Sequence, residues 1–170
     1  ECYDKVARVI GLGYPGGPKV EKAALEGEHT YDLPIPMNDD SFNMSFSGLK
    51  SNIINLVHNE TQRGNEIRNN DLARSFQDVA VDQLCRKTEL AIKKYNVKNM
   101  IIAGGVSANK FLREEIKKIT DKYNVSLSVP RMLYCTDNAA MIASAGYYDF
   151  MEGKIGNLSL NAIPNLKLGE

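Results

Sequence analysis

The stretch Ala103-Gly104-Gly105-Val106-Ser107-Ala108-Asn109 has the residue types and spacing of a turn that touches a ligand. Asn99-Met100-Ile101-Ile102 before it reads as a fully buried strand, and Lys110-Phe111-Leu112-Arg113-Glu114-Glu115-Ile116 after it reads as an amphipathic helix. Two adjacent glycines at such a junction leave no side chain where backbone and ligand could meet. The helix N-terminus then aims unpaired N–H groups into the gap, which favours a phosphate or another anionic group. The same residues also suit a plain strand-to-helix turn with Ser107 or Asn109 as N-cap, and the bare pattern leaves both readings open.

Asp137 also has two jobs open to it. As N-cap of a helix over 139–151 it would add about 1 kcal/mol of stability; as a metal ligand or catalytic acid it would face a cleft. Spacing favours the cap. One carboxylate does not hold a transition metal, since three protein ligands are usual at an open site. His29 and His58 have no second histidine at i+3 or i+4 and read as surface residues. Asp4 lies near the loop Pro15-Gly16-Gly17-Pro18 in sequence, where a carboxylate could bind ribose hydroxyls or simply answer the dipole of its own helix. Lys110, Arg113 and Lys117 recur at helical spacing, with Lys118 and Lys122 nearby, and could meet a phosphate backbone. Glu114, Glu115 and Asp121 dilute that charge, so the stripe reads as a solvated face. No nucleophile–His–acid arrangement and no Walker-type loop is present.

The elements that must position these residues follow from periodicity and caps. Residues 1–10 read as a helix ending at Gly11. Gly11-Leu12-Gly13-Tyr14-Pro15-Gly16 spells G-x-G-x-x-G, but a helix precedes it and Pro15 interrupts it, so the dinucleotide-binding reading is rejected. Pro18 suits the first position of a helix to about residue 26. Residues 31–36 and 42–46 predict short strands joined by the turn Asn38-Asp39-Asp40-Ser41. A helix over 49–59 with Ser47 as cap follows, then a solvated loop over 58–65. The longest helix is predicted over 71–95, capped by Asn69 or Asn70. After the Gly-Gly turn come a helix to about residue 122, a strand over 125–129 closed by Pro130, and the helix that Cys135-Thr136-Asp137-Asn138 opens. The tail from residue 153 lacks clear periodicity. Alternating strands and helices in the second half imply an α/β arrangement with a mixed or parallel sheet. Gly104-Gly105 and Thr136-Asp137 both follow strands, so both are expected to line one cleft at the carboxyl ends.

With 170 residues, 43% of them hydrophobic and 25% charged, the chain suits one soluble domain with a real core, or one domain and a piece of another. Twenty-one basic and 21 acidic residues cancel, so nucleic-acid binding would need a local patch. Three scattered cysteines without C-x-x-C argue for a reducing compartment and against disulfides or a thiolate zinc site. No apolar run approaches the length of a membrane span, and no signal peptide is evident. The first residue is Glu1 and a helical pattern starts at once, so the chain reads as cut from a longer protein.

Five segments in order carry a family resemblance: Glu1-x-x-Asp4-Lys5, Leu12-Gly13-Tyr14-Pro15-Gly16-Gly17-Pro18, Ser45-Phe46-Ser47-Gly48-Leu49-Lys50, Ala103 to Asn109, and Cys135-Thr136-Asp137-Asn138-Ala139-Ala140-Met141-Ile142-Ala143. Together they resemble the C-terminal half of the TsaD/Gcp/Kae family, tRNA threonylcarbamoyladenosine transferases once described as O-sialoglycoprotein endopeptidases. The resemblance implies an actin-like, ribonuclease-H-like fold of the sugar-kinase and Hsp70 type, with a mixed sheet and flanking helices. It also implies a subdomain over 1–150 and a tail over 151–170 that packs on an N-terminal subdomain.

Carried over by position, the resemblance makes Asp137 a metal ligand and Asp4, Gly17 and Asn109 contacts of the nucleotide part of the substrate. It places Gly104 and Gly105 beneath adenine and ribose. Ala139 departs from the glycine common in the family. The family's other metal ligands are an H-x-x-x-H pair on the N-terminal half; this sequence has no such pair, so the chain alone is expected to be inactive. The implied reaction moves a threonylcarbamoyl group from threonylcarbamoyl-AMP to the adenosine 3′ of the anticodon, with ATP as a further nucleotide ligand and a divalent iron or zinc as Lewis acid. Implied partners are tRNA, a TsaB-like paralogue, a TsaE-like ATPase and the N-terminal half of the protein, in the cytoplasm and without a membrane. Two alternatives stay open. A metallo-glycoprotease would need a water-activating carboxylate such as that of H-E-x-x-H, which the sequence lacks; a non-catalytic ATP-binding actin-like module would not need Asp137 in a cleft.

Overall fold

A computed structural model describes residues 1–166, so the last four residues of the predicted tail lie outside the described part. In order come α1 (Cys2–Val9), α2 (Gly16–Leu25), α3 (Ser47–Gln62), α4 (Asn69–Tyr95), β1 (Asn99–Ile101), α5 (Lys110–Lys122), β2 (Ser126–Ser128) and α6 (Ala139–Met151). Short 3-10 turns occupy Gly105–Ala108 and Met132–Tyr134. The class is mixed α/β, as expected. Among the described residues the sheet has two strands, parallel, with Met100 opposite Leu127.

Two apolar clusters form the core, and α4 is the wall they share. Its first half packs Leu72, Phe76 and Val79 against Val6, Val20, Leu49 and Ile53 of α1, α2 and α3. Farther along, Val81 and Cys85 pack on Leu112 and Ile116 of α5, with Met100 and Leu127 of the strands and Ile102 just past β1 beside them. The 27 residues of α4 span about 40 Å at 1.5 Å each, enough to serve both clusters.

The strand expected over 99–102 is not fully buried. Ile101 is 74% exposed, because α5 covers one face of the sheet and the described residues put nothing on the other. The strands expected over 31–36 and 42–46 do not form. Pro34 and Pro36 remove ladder donors, and polar side chains of α4 bind this backbone instead. Tyr31 N–H donates to Ser75 Oγ at 3.1 Å. Gln83 accepts from Ser45 N–H and donates to Ser45 C=O, both at 2.9 Å. The Lys87 ammonium donates to the carbonyls of Asp39 and Ser41 and to the Asp39 carboxylate. Ser75, Gln83 and Lys87 are buried on α4 for this reason.

Other boundaries shift by a turn. Residues 16 and 17 join α2 because Asp4 accepts from Gly16 N–H. For α3, the N-cap is Phe46 rather than Ser47, and the helix runs through His58 to Gln62 into the expected loop. Asn69 and Asn70 lie inside α4 instead of capping it; the cap is Arg68, without a side-chain bond. His29 and His58 are exposed, as expected, and His29 pairs with Asp78 at 2.9 Å.

Helix α6 has the expected bounds, but none of its residues is buried. Ile142, Tyr147, Tyr148, Phe150 and Met151 are all exposed, as are Leu158, Leu160 and Ile163 beyond it. No described helix is long and apolar enough to cross a membrane.

Candidate functional site

Asp4 sits in the first turn of α1, and its carboxylate also reaches the start of α2. Its Oδ1 accepts from Gly16 N–H at 2.7 Å. A Cβ on Gly16 would lie 2.4 Å from Asp4 Cα, so only glycine permits this approach of the two helices. Gly17 beside it has open space: a methyl group there would meet nothing within 4 Å. The carboxylate therefore marks a helix start whose next residue offers bare backbone to a ligand.

One turn along α2, Glu21 Oε1 accepts from Lys110 N–H at 2.6 Å, joining α2 to the start of α5. Asn109 caps α5, its Oδ1 accepting from Leu112 N–H at 2.7 Å. Its Nδ2 donates to Gln77 Oε1 of α4 at 3.0 Å, in a buried position. Two of the first N–H groups of α5 are thus taken. One anionic group at this N-terminus is the chain's own Glu21. Asp4, Gly17 and Asn109 are nonetheless tied into one region through α2. The sequence pattern holds no sign of Glu21. Gln77 has one: an amide inside the apolar stripe of α4.

At the Gly-Gly turn, Gly104 has φ +85° and ψ 173°, a conformation that a side chain would strain. Ser107 closes the turn by donating its N–H and hydroxyl to Gly104 C=O, at 3.0 and 2.6 Å. A Cβ on Gly105 would meet Thr136 Cγ2 at 4.0 Å. The two strand-end loops therefore adjoin, as their positions after strands predict.

Asp137 is exposed in this second loop. It is not the cap. Asn138 caps α6 by accepting from Met141 N–H at 3.0 Å, because Asn138 has the extended backbone and the offset to N3 that a cap requires. Asp137 is left facing outward as a single carboxylate. Among the described residues, no three His, Cys, Asp or Glu side chains come together to hold a metal ion.

Arg113 is no solvated-face residue, which corrects the reading of the basic stripe. Its Nε donates to Ser107 C=O. Its Nη2 donates to Pro130 C=O at 3.0 Å and to Cys135 Sγ at 3.1 Å. One guanidinium thus ties the Gly-Gly turn, the end of β2 and the approach to Asp137, a use of its fixed fork of donors. Lys117 and Lys118 do form the solvated face, paired with Asp121 and Glu115.

A cavity of about 560 Å³ adjoins this region, walled by Ala80, Val81 and Leu84 of α4 and by Val106 of the Gly-Gly turn. Glu1, Cys2 and Tyr3 line it next to Asp4, and Met44, Ser45, Phe46, Ser47 and Lys50 complete it. Lys50 pairs with Glu1 at 3.3 Å. None of the six expected site residues lines this cavity itself. Burial raises the Tyr3 hydroxyl above its ordinary value, and the Glu21 carboxylate adds to the effect. Burial also raises the Cys2 thiol and pushes the Cys85 thiol up to about 12. Both stay protonated near neutral pH, unsuited to attack as thiolates.

The TsaD family profile, described as tRNA N6-adenosine threonylcarbamoyltransferase, matches residues 1–144. Curated relatives bearing that name include one from Bacillus cereus, 50% identical over 170 residues. Another, from Staphylococcus carnosus, is 48% identical over 169 residues, and one from Listeria welshimeri is 50% identical over 171. Each alignment covers 99% of this chain but 49–50% of the relative, so the chain spans about half the length of the curated relatives it matches. With the profile running from Asp4 through Asp137 and half of all aligned positions identical, the chain belongs to the TsaD family.

Proposed function

We propose that this chain is the nucleotide-positioning half of a tRNA N6-adenosine threonylcarbamoyltransferase, which moves a threonylcarbamoyl group from threonylcarbamoyl-AMP to the adenosine 3′ of the anticodon. The observation that carries the reading is the convergence of Asp4, Gly17, Glu21 and Asn109 where the starts of α2 and α5 meet. Asp4 and Glu21 each commit one oxygen to a backbone N–H; the second oxygen of Glu21 would accept from ribose hydroxyls, as would that of Asp4, which here lies 3.6 Å from the Glu1 ammonium. Gly17 and the Gly104-Gly105 turn leave backbone open for close approach of the base and sugar. Their contribution is orientation of the adenylate, not bond-making.

The residues present do not by themselves fit the divalent iron or zinc that the resemblance implies. Asp137 would supply one carboxylate, and the remaining ligands would come from outside this chain. The actin-like, ribonuclease-H-like architecture belongs to the same proposal: residues 1–150 would form one subdomain, and α6 with the tail would pack its exposed apolar side chains on the other. The partners are tRNA, a TsaB-like paralogue and a TsaE-like ATPase in the cytoplasm.

The test is reconstitution of the full-length protein that carries this chain, with its partner proteins, tRNA, threonine, bicarbonate and ATP, read for modified adenosine. Wild type is expected to form threonylcarbamoyladenosine, and Asp137→Ala to abolish it while leaving the circular dichroism spectrum and unfolding midpoint unchanged. Cleavage of an O-sialoglycoprotein without any tRNA modification would favour the peptidase alternative.

A further inference from the structure

We infer that Gln77 is a positioning residue for the nucleotide site, acting through Asn109; the inference rests on the reading of Asn109 as a nucleotide contact. Gln77 is 2% exposed and Asn109 9%. Their amides meet across the seam between α4 and the start of α5, Asn109 Nδ2 donating to Gln77 Oε1 at 3.0 Å. An amide buried on α4 is costly to the core unless it is bonded, and an apolar residue there would avoid that cost. What the amide achieves is to fix a second polar group.

Asn109 has four bonding positions, two acceptor and two donor. The cap to Leu112 uses one lone pair of Oδ1, and Gln77 uses one hydrogen of Nδ2. The amide plane is then set from both ends, and the remaining N–H and lone pair point in directions fixed by the fold before any ligand arrives. Those free positions can read the donor and acceptor edge of a base or a ribose hydroxyl without reorganisation. With Gln77 replaced by an apolar residue, the cap would still hold Oδ1, but a buried N–H would lack its acceptor. The side chain would tilt to recover one.

The measurement is ATP binding by the full-length protein that carries this chain, followed by titration calorimetry, with unfolding midpoints recorded in parallel. Asn109→Ala is expected to weaken ATP about tenfold, and Gln77→Leu by a similar factor. The double variant should be no worse than either single, because both remove the same oriented group. Gln77→Glu keeps the acceptor and should bind within about twofold of wild type. A purely structural role would lower the midpoint and leave the affinity of the folded protein unchanged. If Gln77→Leu does not fold, Gln77→Asn, shorter by one methylene, replaces it with the same expected loss. Wild-type affinity in a folded Gln77→Leu protein, with Asn109→Ala still impaired, would overturn the inference alone. Wild-type affinity in Asn109→Ala would overturn the nucleotide reading of Asn109 and the inference with it.

Discussion

At the scale of residues, two adjacent glycines separate structure from function. A Cβ on Gly16 would meet Asp4 Cα at 2.4 Å, whereas Gly17 faces open space. Gly16→Ala is therefore expected to push α1 and α2 apart and destabilise the protein by about 1–3 kcal/mol, visible as a lower urea midpoint. Arg113 is the second informative residue. Arg113→Met keeps the apolar stem but frees three loops, leaving partly buried acceptors at Ser107 and Pro130. A loss of about 2 kcal/mol and faster amide exchange over 104–108 and 135–138 are expected by hydrogen-exchange mass spectrometry; unchanged exchange there would contradict the tie. Asn109 is legible from sequence as a cap and from the family motif as a contact, and its bonds satisfy the first while leaving one N–H and one lone pair for the second. Asn138 is not legible over Asp137, because both are good caps and only backbone geometry chooses between adjacent ones.

At the scale of elements, local signals are legible in the sequence and partnered ones are not. The bounds of α5 and α6 follow from caps and periodicity within the segment. The segment 31–46 looks like strands because its hydrogen-bond partners lie on α4, about forty residues away, as isolated polar side chains in an apolar stripe. Gln83 and Lys87 do there what a neighbouring strand would do. Gln83→Leu is expected to leave both backbone groups of Ser45 unpaired and cost about 2–3 kcal/mol, measured by urea unfolding. The same attachment is sensitive to acid. The hydrogen bond from the Lys87 ammonium holds the Asp39 carboxyl down to about 2, and the Tyr123 hydroxyl with Lys122 holds Glu89 to about 2. Both folded values lie below the ordinary carboxylate value, so their stabilisation is complete above about pH 5 and is lost as pH falls toward 2. The urea midpoint should therefore fall over that window, and Lys87→Met should flatten the fall. A midpoint independent of pH between about 5 and 2 would remove this attachment from the account.

For the whole molecule, α4 joins two cores, and the site proposed for the nucleotide lies beside it where the starts of α2 and α5 meet, with Asp137 in the loop beyond. Among the described residues the sheet has one covered face, and α6 carries Tyr147, Tyr148 and Phe150 into solvent. Family membership is readable because its motifs sit at the turns and helix starts that adjoin in the fold. Glu21 and Gln77 are not readable because their role appears only when α2, α4 and α5 meet. The central claim is that this junction holds an adenylate. Gly17→Ala tests it most directly, since a methyl there touches nothing in the fold. In the full-length protein that carries this chain, ATP binding by calorimetry should weaken at least tenfold while the unfolding midpoint stays unchanged. Wild-type affinity in that variant would contradict the account.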